Sequence, residues 1–378
     1  MPREVTAVLF EGGNPQSPPE YEMTVVRKAV ALDNLEKLKL VREIDRIVFC
    51  TNYPDLAEEA RSLGATVVPT VGSECPFHFG RVLARIVEDL GIDRVLFMGG
   101  ASTPLITVGE LAEVASRLGA EENVVIMNNA VSADLVAFTP ARILQHILLP
   151  SSDNFLGYLL REAGLRRILM PNSPRINFDL DTPVDFLVLG LQPDLGPRTR
   201  AALSRLTWDC SRLLAAREVL KRKGAEVALI GRVGAPLIAY LNNNFKCRLR
   251  VFSEERGMKA LGREEKGEVV SLLGYFYQEL GPRAFFHYLA RTAEAVFFDT
   301  RVLFGHLKKG GVSPQDRYYS DLGLHRAVQD PDIRLFTQAA HDAPVPVVLG
   351  GHSLVSGGVW LLAEGLLKDH GRDGNSAL

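Results

Sequence analysis

Asn177-Phe178-Asp179-Leu180-Asp181-Thr182-Pro183-Val184-Asp185 is the stretch on which the reading of this chain turns. Apolar and acidic residues alternate up to Asp181, and in an extended segment residues i and i+2 share a face. Asp179 and Asp181 therefore point the same way, and two carboxylates on one face suit a hard, oxygen-seeking cation such as magnesium. The other reading is a pair of surface carboxylates. The residues after Asp181 look like a helix start, with Thr182 as N-cap, Pro183 in the first helical position and Asp185 in the first turn.

Upstream of this segment, short runs rich in Val, Ile and Phe alternate with longer helical patterns. The predicted strands are Thr6 to Phe10, Arg46 to Thr51, Ala65 to Val71, Arg94 to Met98 and Asn123 to Met127, with Asp185 to Leu189 readable as strand or helix. Helical patterns fill Ala29 to Val41, Pro54 to Leu63, Gly80 to Asp89, Thr107 to Leu118 and Pro140 to Leu149. Fully apolar strands between helices imply a mostly parallel sheet covered on both faces. Downstream, Gly190 to Pro197 holds two Gly and two Pro in eight residues, a natural boundary. Beyond it come a helix, Arg198 to Lys223, and strands at Glu226 to Ile230, Arg248 to Phe252, Ala295 to Phe298 and Pro344 to Leu349. Further helices are read at Gly267 to Glu279 and Pro282 to Ala293. The expectation is an α/β protein of two domains, residues 1–195 and 196–378, the second Rossmann-like.

The composition agrees with two cores. At 378 residues the chain exceeds what one hydrophobic core usually organises. With 47% hydrophobic and 23% charged residues it should fold unaided. Lys and Arg number 43 against 45 Asp and Glu, so no strong field draws it to nucleic acid or an anionic membrane. A small molecule is the expected partner. The start MPREVTAVLF carries no leader pattern and no apolar run is long enough to span a bilayer, so the expected location is the cytoplasm. Cys50, Cys75, Cys210 and Cys247 are widely spaced and read as buried thiols.

Two segments carry a resemblance. The stretch 177–185 is similar to the Asp-x-Asp-Thr-Pro-x-Asp element of the molybdenum-cofactor guanylyltransferase and phospholactate guanylyltransferase families, and Arg94 to Thr107 resembles their strand followed by Asp-x-Pro-Leu-hydrophobic-Thr. The resemblance covers residues 1 to about 190. It implies a nucleotidyltransferase (type-A glycosyltransferase-like) fold, with Asp179 and Asp181 as metal ligands and catalytic residues, Mg2+ as cofactor, and transfer of a nucleoside monophosphate from a nucleoside triphosphate to a small phosphorylated or carboxylated acceptor. The sequence departs from that pattern twice. Ala101 and Ser102 stand where the second metal-binding Asp would be, and Glu11-Gly12-Gly13 replaces a basic glycine-rich loop. Gly12, Gly13 and Ser102 remain candidate nucleotide contacts, because glycine permits close backbone approach. A non-catalytic protein that binds a nucleotide or sugar phosphate on the same scaffold is the alternative.

Other polar groups are expected at the sheet edge: His78, either core or substrate-facing, and Asn128, Asn129, Ser132 and Asp134. In the second half the reading is chemical. Gly231-Arg232-Val233-Gly234 follows a strand and precedes a helix, an incomplete dinucleotide fingerprint. Gly350-Gly351-His352-Ser353 opens a stretch of nine residues with four glycines. Glu254, Arg256 and Lys259 follow one strand, and Asp299 and Arg301 another. Together these form a candidate ligand site, with the arginines supplying charge for phosphate or carboxylate, and a phosphate-ester enzyme centred there is a third reading. A Ser353, His352, Asp299 hydrolase triad is disfavoured, since adjacent His and Ser do not turn back on each other. The segment Lys308 to Ser320 reads as a surface loop or lid. A homodimer is compatible with the sequence.

Overall fold

A computed structural model describes residues 4–69, 77–130, 133–259 and 261–373. Cys75, Ser132 and the end of the predicted strand at Val71 lie outside the described residues. Contacts divide the chain into two units. The first is Met1–Pro15, Thr24–Asn177 and Leu195–Ala202; the second is Gln16–Met23, Phe178–Asp194 and Leu203–Leu378. Residues 178–194, expected with the first domain, thus group with the second.

The first unit is built on a seven-stranded sheet, β1 (Val5–Phe10), β2 (Ile44–Thr51), β3 (Thr66–Pro69), β4 (Val95–Gly99), β5 (Val124–Met127), β6 (Leu135–Thr139) and β7 (Arg166–Leu169), in the order β3-β2-β1-β4-β6-β5-β7. All pairings are parallel except those of β6 with β4 and β5. Strands β1, β4, β5 and β6 are buried almost throughout because helices cover both faces, as their uninterrupted apolar runs require. The second unit carries a parallel four-stranded sheet of β8 (Glu226–Gly231), β9 (Arg248–Ser253), β10 (Ala295–Asp299) and β11 (Val347–Gly350), ordered β11-β10-β8-β9. The fold class is the expected one, α/β with a large mostly parallel sheet flanked by helices and a second, smaller sheet.

Several elements differ from expectation. Strands β6 and β7 were not anticipated. Asp185 to Leu189 is helical, inside the helix Pro183–Gly190 that Thr182, Pro183 and Asp185 begin. The predicted helix Arg198 to Lys223 is two helices, Pro197–Leu203 and Ser211–Lys221. Pro140 to Leu149 forms only a short 3-10 turn over Ala141–His146, and Lys308 to Ser320 is mostly the helix Pro314–Asp321 rather than a loop. Of the described cysteines Cys50 is buried, while Cys210 and Cys247 are half-buried. No helix among the described residues is long and apolar enough to cross a membrane.

Candidate functional site

Strand order fixes where ligands can enter each unit. In the first, β2 and β3 lie to one side of β1 and β4 to the other, so the order reverses between β1 and β4. In the second, β9 lies to one side of β8 and β10 with β11 to the other, so it reverses between β8 and β10. Open parallel sheets bind ligands at the carboxyl ends of strands beside such a reversal. The two positions are filled very differently.

At the first reversal, Phe10 is level with Gly99, and the segments after these two residues close on each other. Glu11, 3% exposed, pairs with Arg27 at 3.0 Å and accepts the Ala101 N–H at 3.1 Å. Asn34, fully buried, donates to the carbonyls of Gly100 and Ser102, both at 3.0 Å. The Lys37 ammonium donates to the Pro104 carbonyl at 2.8 Å, and burial pushes its pKa down to about 8. The Ser102 hydroxyl donates to the Gly99 carbonyl at 2.8 Å. Gly13 exchanges hydrogen bonds of 3.0 and 2.8 Å with the Asn52 side chain, and a Cβ on Gly12 would meet that amide oxygen at 2.5 Å. Thr103, with a φ of 43° and a buried hydroxyl that has no partner, carries the strain of this tight loop. His78 caps the helix Phe79–Asp89 by accepting the Arg81 N–H, and Asn128 holds Asp134, Leu135 and Ile176 backbone groups. The candidate contacts Gly13 and Ser102 therefore spend hydrogen bonds on the loops themselves, and Gly12 packs closely on Asn52.

At the second reversal the register puts Gly231 level with Ser253, and Asp299 level with Gly350. Asp299 has no exposed surface, and Arg232, 7% exposed, grips it through Nε at 2.6 Å, Nη2 at 3.0 Å and its own backbone N–H at 3.2 Å. Burial would raise the Asp299 pKa, but the Arg232 guanidinium outweighs it and holds the carboxyl below the usual range. Nη1 of Arg232 stays outside this pair. The approach depends on Gly231, which has a φ of 105° and where a Cβ would stand 2.5 Å from that of Asp299. Arg301 is likewise buried and pairs with Asp321 at 3.0 and 2.5 Å, while its backbone N–H caps onto Asp299.

The acidic segment belongs to this same unit. Phe178, Leu180 and Thr182 are buried whereas Asp179 is half-buried and Asp181 exposed, so the alternation read from the sequence holds and both carboxylates face away from the core. Its backbone is fixed at both ends. Asp179 donates its N–H to Ser353 Oγ at 3.2 Å, and that hydroxyl donates to the Asp179 carbonyl at 2.6 Å. Asp185, fully buried, accepts from the Asp181 N–H, the Thr182 N–H and the Thr182 hydroxyl through one oxygen, and its other oxygen has no partner. Burial, reinforced by the neighbouring Asp181 charge, pushes the Asp185 pKa well up. Gly351 packs on this segment, since a Cβ there would meet the Thr182 methyl at 2.8 Å. His352 joins it to the arginine pair: Nδ1 lies 3.0 Å from the Arg232 carbonyl, and burial with the nearby Arg232 charge lowers the ring's pKa.

The structure thus brings together Asp179, Asp181, Gly231, Arg232, Asp299, Arg301, Gly351, His352 and Ser353, with Gly350 in register beside Asp299. Arg256 is exposed but close enough to affect His352. Gly234 starts the helix Ala235–Asn244, and its N–H bonds to the Val355 carbonyl. Glu254 is not part of the cluster: it accepts the Ser271 hydroxyl at 2.6 Å and the Leu272 N–H at 2.7 Å, capping the next helix. Ser353, spent on Asp179, is not paired with His352 or Asp299. Two residues of the cluster carry no signal in the sequence: Asp185, which reads only as a helix-start residue, and Asp321, which lies just past the predicted loop Lys308 to Ser320 and 20 positions from its partner Arg301. Among the described residues no group of three or more His, Cys, Asp or Glu is arranged as a metal site. A cavity of about 450 Å³ lies elsewhere in this unit, lined by Gly281, Pro282, Phe286, His287 and Pro344 among others, and includes none of the cluster.

No family model and no curated protein matches the chain. Solved structures do. A cytidylyltransferase from Leptospira borgpetersenii is 17% identical with a TM-score of 0.40, covering 53% of this chain and 92% of that one. A CMP:2-keto-3-deoxy-manno-octonic acid synthetase complexed with CTP is 12% identical with a TM-score of 0.36, over 53% of this chain and 100% of its own. A nucleotidyl transferase from Methanothermobacter is 17% identical with a TM-score of 0.37, over 49% and 95%. The guanylyltransferase families expected from the sequence are not among these three.

Proposed function

We propose that the chain is a magnesium-dependent nucleotidyltransferase whose charged working groups lie at the strand reversal of the second unit. The observation that carries this is the pair Asp179 and Asp181, turned out from a buried backbone in the same cluster as a guanidinium with one nitrogen to spare. Two carboxylates suit magnesium, which usually takes one or two from the protein and fills its remaining positions with water and substrate phosphate. When bound, the ion would neutralise charge on a departing pyrophosphate. Arg232 Nη1 and Arg256 supply positive charge for the anionic group of a small phosphorylated or carboxylated acceptor. His352, uncharged because burial lowers its pKa, adds no repulsion to an incoming cation. The role of the protein in such chemistry is mainly to position and to neutralise.

The test is release of pyrophosphate from each common nucleoside triphosphate, with a panel of small phosphorylated and carboxylated acceptors, with and without magnesium. Metal-dependent release that falls at least 100-fold in Asp181→Asn, as expected when charge stabilisation is removed, supports the reading; release indifferent to both magnesium and Asp181 refutes it. A binding-only role is the second reading, and one observation favours it: Ala101 and Ser102 offer no carboxylate, and their loop is hydrogen-bonded to Glu11 and Asn34. It is the outcome indicated by nucleotide binding without turnover.

A further inference from the structure

The buried charges of the second unit form a series of opposite signs that ends unevenly. Arg232 is matched by Asp299 and Arg301 by Asp321. Arg317, on the helix Pro314–Asp321, has no such match. It lies near Arg301, its Nε is buried without a hydrogen-bond partner, and among the described residues no carboxylate forms an ion pair with it. The acids around it are spent or distant. Asp316 is its neighbour in sequence, but both Asp316 oxygens accept backbone N–H groups, from Gln329 at 2.7 Å and Asp330 at 2.9 Å. Asp321 is held by Arg301. Glu264 contributes only at a distance.

A half-buried guanidinium beside a second one, with no acid of its own, is costly unless an anion joins it. Burial, and then the Arg301 charge, lower the Arg317 pKa. Tyr318, the next residue, is close enough to feel both arginines. Its hydroxyl can donate to an oxyanion, and a planar guanidinium fork matches a phosphate through two parallel hydrogen bonds.

We propose that Arg317 and Tyr318, in the field of Arg301, form a binding site for a phosphate group of a small molecule. This inference rests on the second unit's charges and not on the nucleotidyltransferase reading. Its test therefore uses the full chain without nucleotide or magnesium. Inorganic phosphate is titrated against wild type, Arg317→Gln, Arg317→Lys and Tyr318→Phe, following thermal unfolding, with sodium chloride and sodium acetate at matched ionic strength as controls. Wild type is expected to show a saturable rise with phosphate beyond either control, weakened at least tenfold in Arg317→Gln and less in Arg317→Lys and Tyr318→Phe. Without phosphate, Arg317→Gln should be no less stable than wild type, because it removes an unmatched charge. Equal responses to phosphate and chloride, unchanged phosphate binding in Arg317→Gln, or a loss of stability in that variant without phosphate would each overturn the proposal. An acetate response equal to that of phosphate would replace phosphate by carboxylate and overturn it as stated. Should Arg317→Gln fail to fold, unaltered phosphate binding by both Arg317→Lys and Tyr318→Phe would do the same.

Discussion

The two units place polar side chains at equivalent points, the carboxyl edge where strand order reverses, yet the chemistry there differs in kind. In the first, Glu11, Arg27, Asn34, Lys37 and Ser102 use one another and the backbone of the adjoining loops as partners. In the second, Asp299, Arg232, Arg301 and Asp321 form a buried scaffold from which Asp181, Arg232 Nη1 and Arg317 are left over. A buried polar network is therefore not in itself a site. What makes a site is capacity remaining once internal hydrogen bonds and ion pairs are counted.

The comparison can be broken by substitution. Asp299→Ala should give the largest loss, about 3 to 5 kcal/mol in urea unfolding, because Arg232 would be buried without its acid. A loss below about 1 kcal/mol, the size of an exposed pair, would mean that the arginine finds water and that the scaffold is not a sealed one. Gly231→Ala should come next at roughly 2 to 4 kcal/mol, combining a left-handed backbone with overlap against Asp299. Glu11→Gln in the first unit should cost less, about 1 to 3 kcal/mol, since the amide oxygen still accepts one hydrogen bond after the charge is lost. If Glu11→Gln proved the costlier change, the ranking of the two networks would be reversed.

The smallest effect concerns pH. Folding lowers the His352 pKa, whereas in the unfolded chain the ring titrates near its ordinary value of about 6.5. As pH falls below that value the unfolded state takes up a proton that the folded state refuses. The His352 contribution is therefore complete above about pH 6.5 and is lost as pH drops through the depressed folded pKa. Stability measured from pH 8 to pH 5 should fall less steeply in His352→Gln than in wild type, and parallel slopes would mean that the ring is already solvated.

Much of this was legible in the sequence where local pattern and burial coincide. The i, i+2 spacing of Asp179 and Asp181 predicted that the two carboxylates share a face, and the glycine-rich turns at Gly231 and Gly350-Gly351 were legible as part of a candidate site, though the close approach that Gly231 and Gly351 permit shows only in the fold. Strand β6 was hidden because Leu135 to Thr139 is a short apolar run directly after a polar loop, and its antiparallel direction leaves no local trace. Strand β7 begins with two exposed arginines, which mask its single buried residue, Ile168. The grouping of residues 178–194 with the second unit was illegible for a different reason: Gly190 to Pro197 has linker composition, but contacts such as that of Ser353 with Asp179 span 174 positions. Glu254 shows the converse, since an acid after a strand looks like a ligand until the helix it caps is seen.

The central claim, that the working groups lie in the second unit's cluster and not in the first unit's closed loops, is tested most directly by one paired measurement. Thermal unfolding of Asp181→Asn and Glu11→Gln would be followed with each common nucleoside triphosphate, with and without magnesium, beside wild type. A bound nucleotide at 100 times its Kd stabilises by about 2.7 kcal/mol, so the shift is easily read. The expected result is a magnesium-dependent shift that Glu11→Gln retains and Asp181→Asn loses. A shift retained in Asp181→Asn but lost in Glu11→Gln would contradict the account and return the chemistry to the first unit.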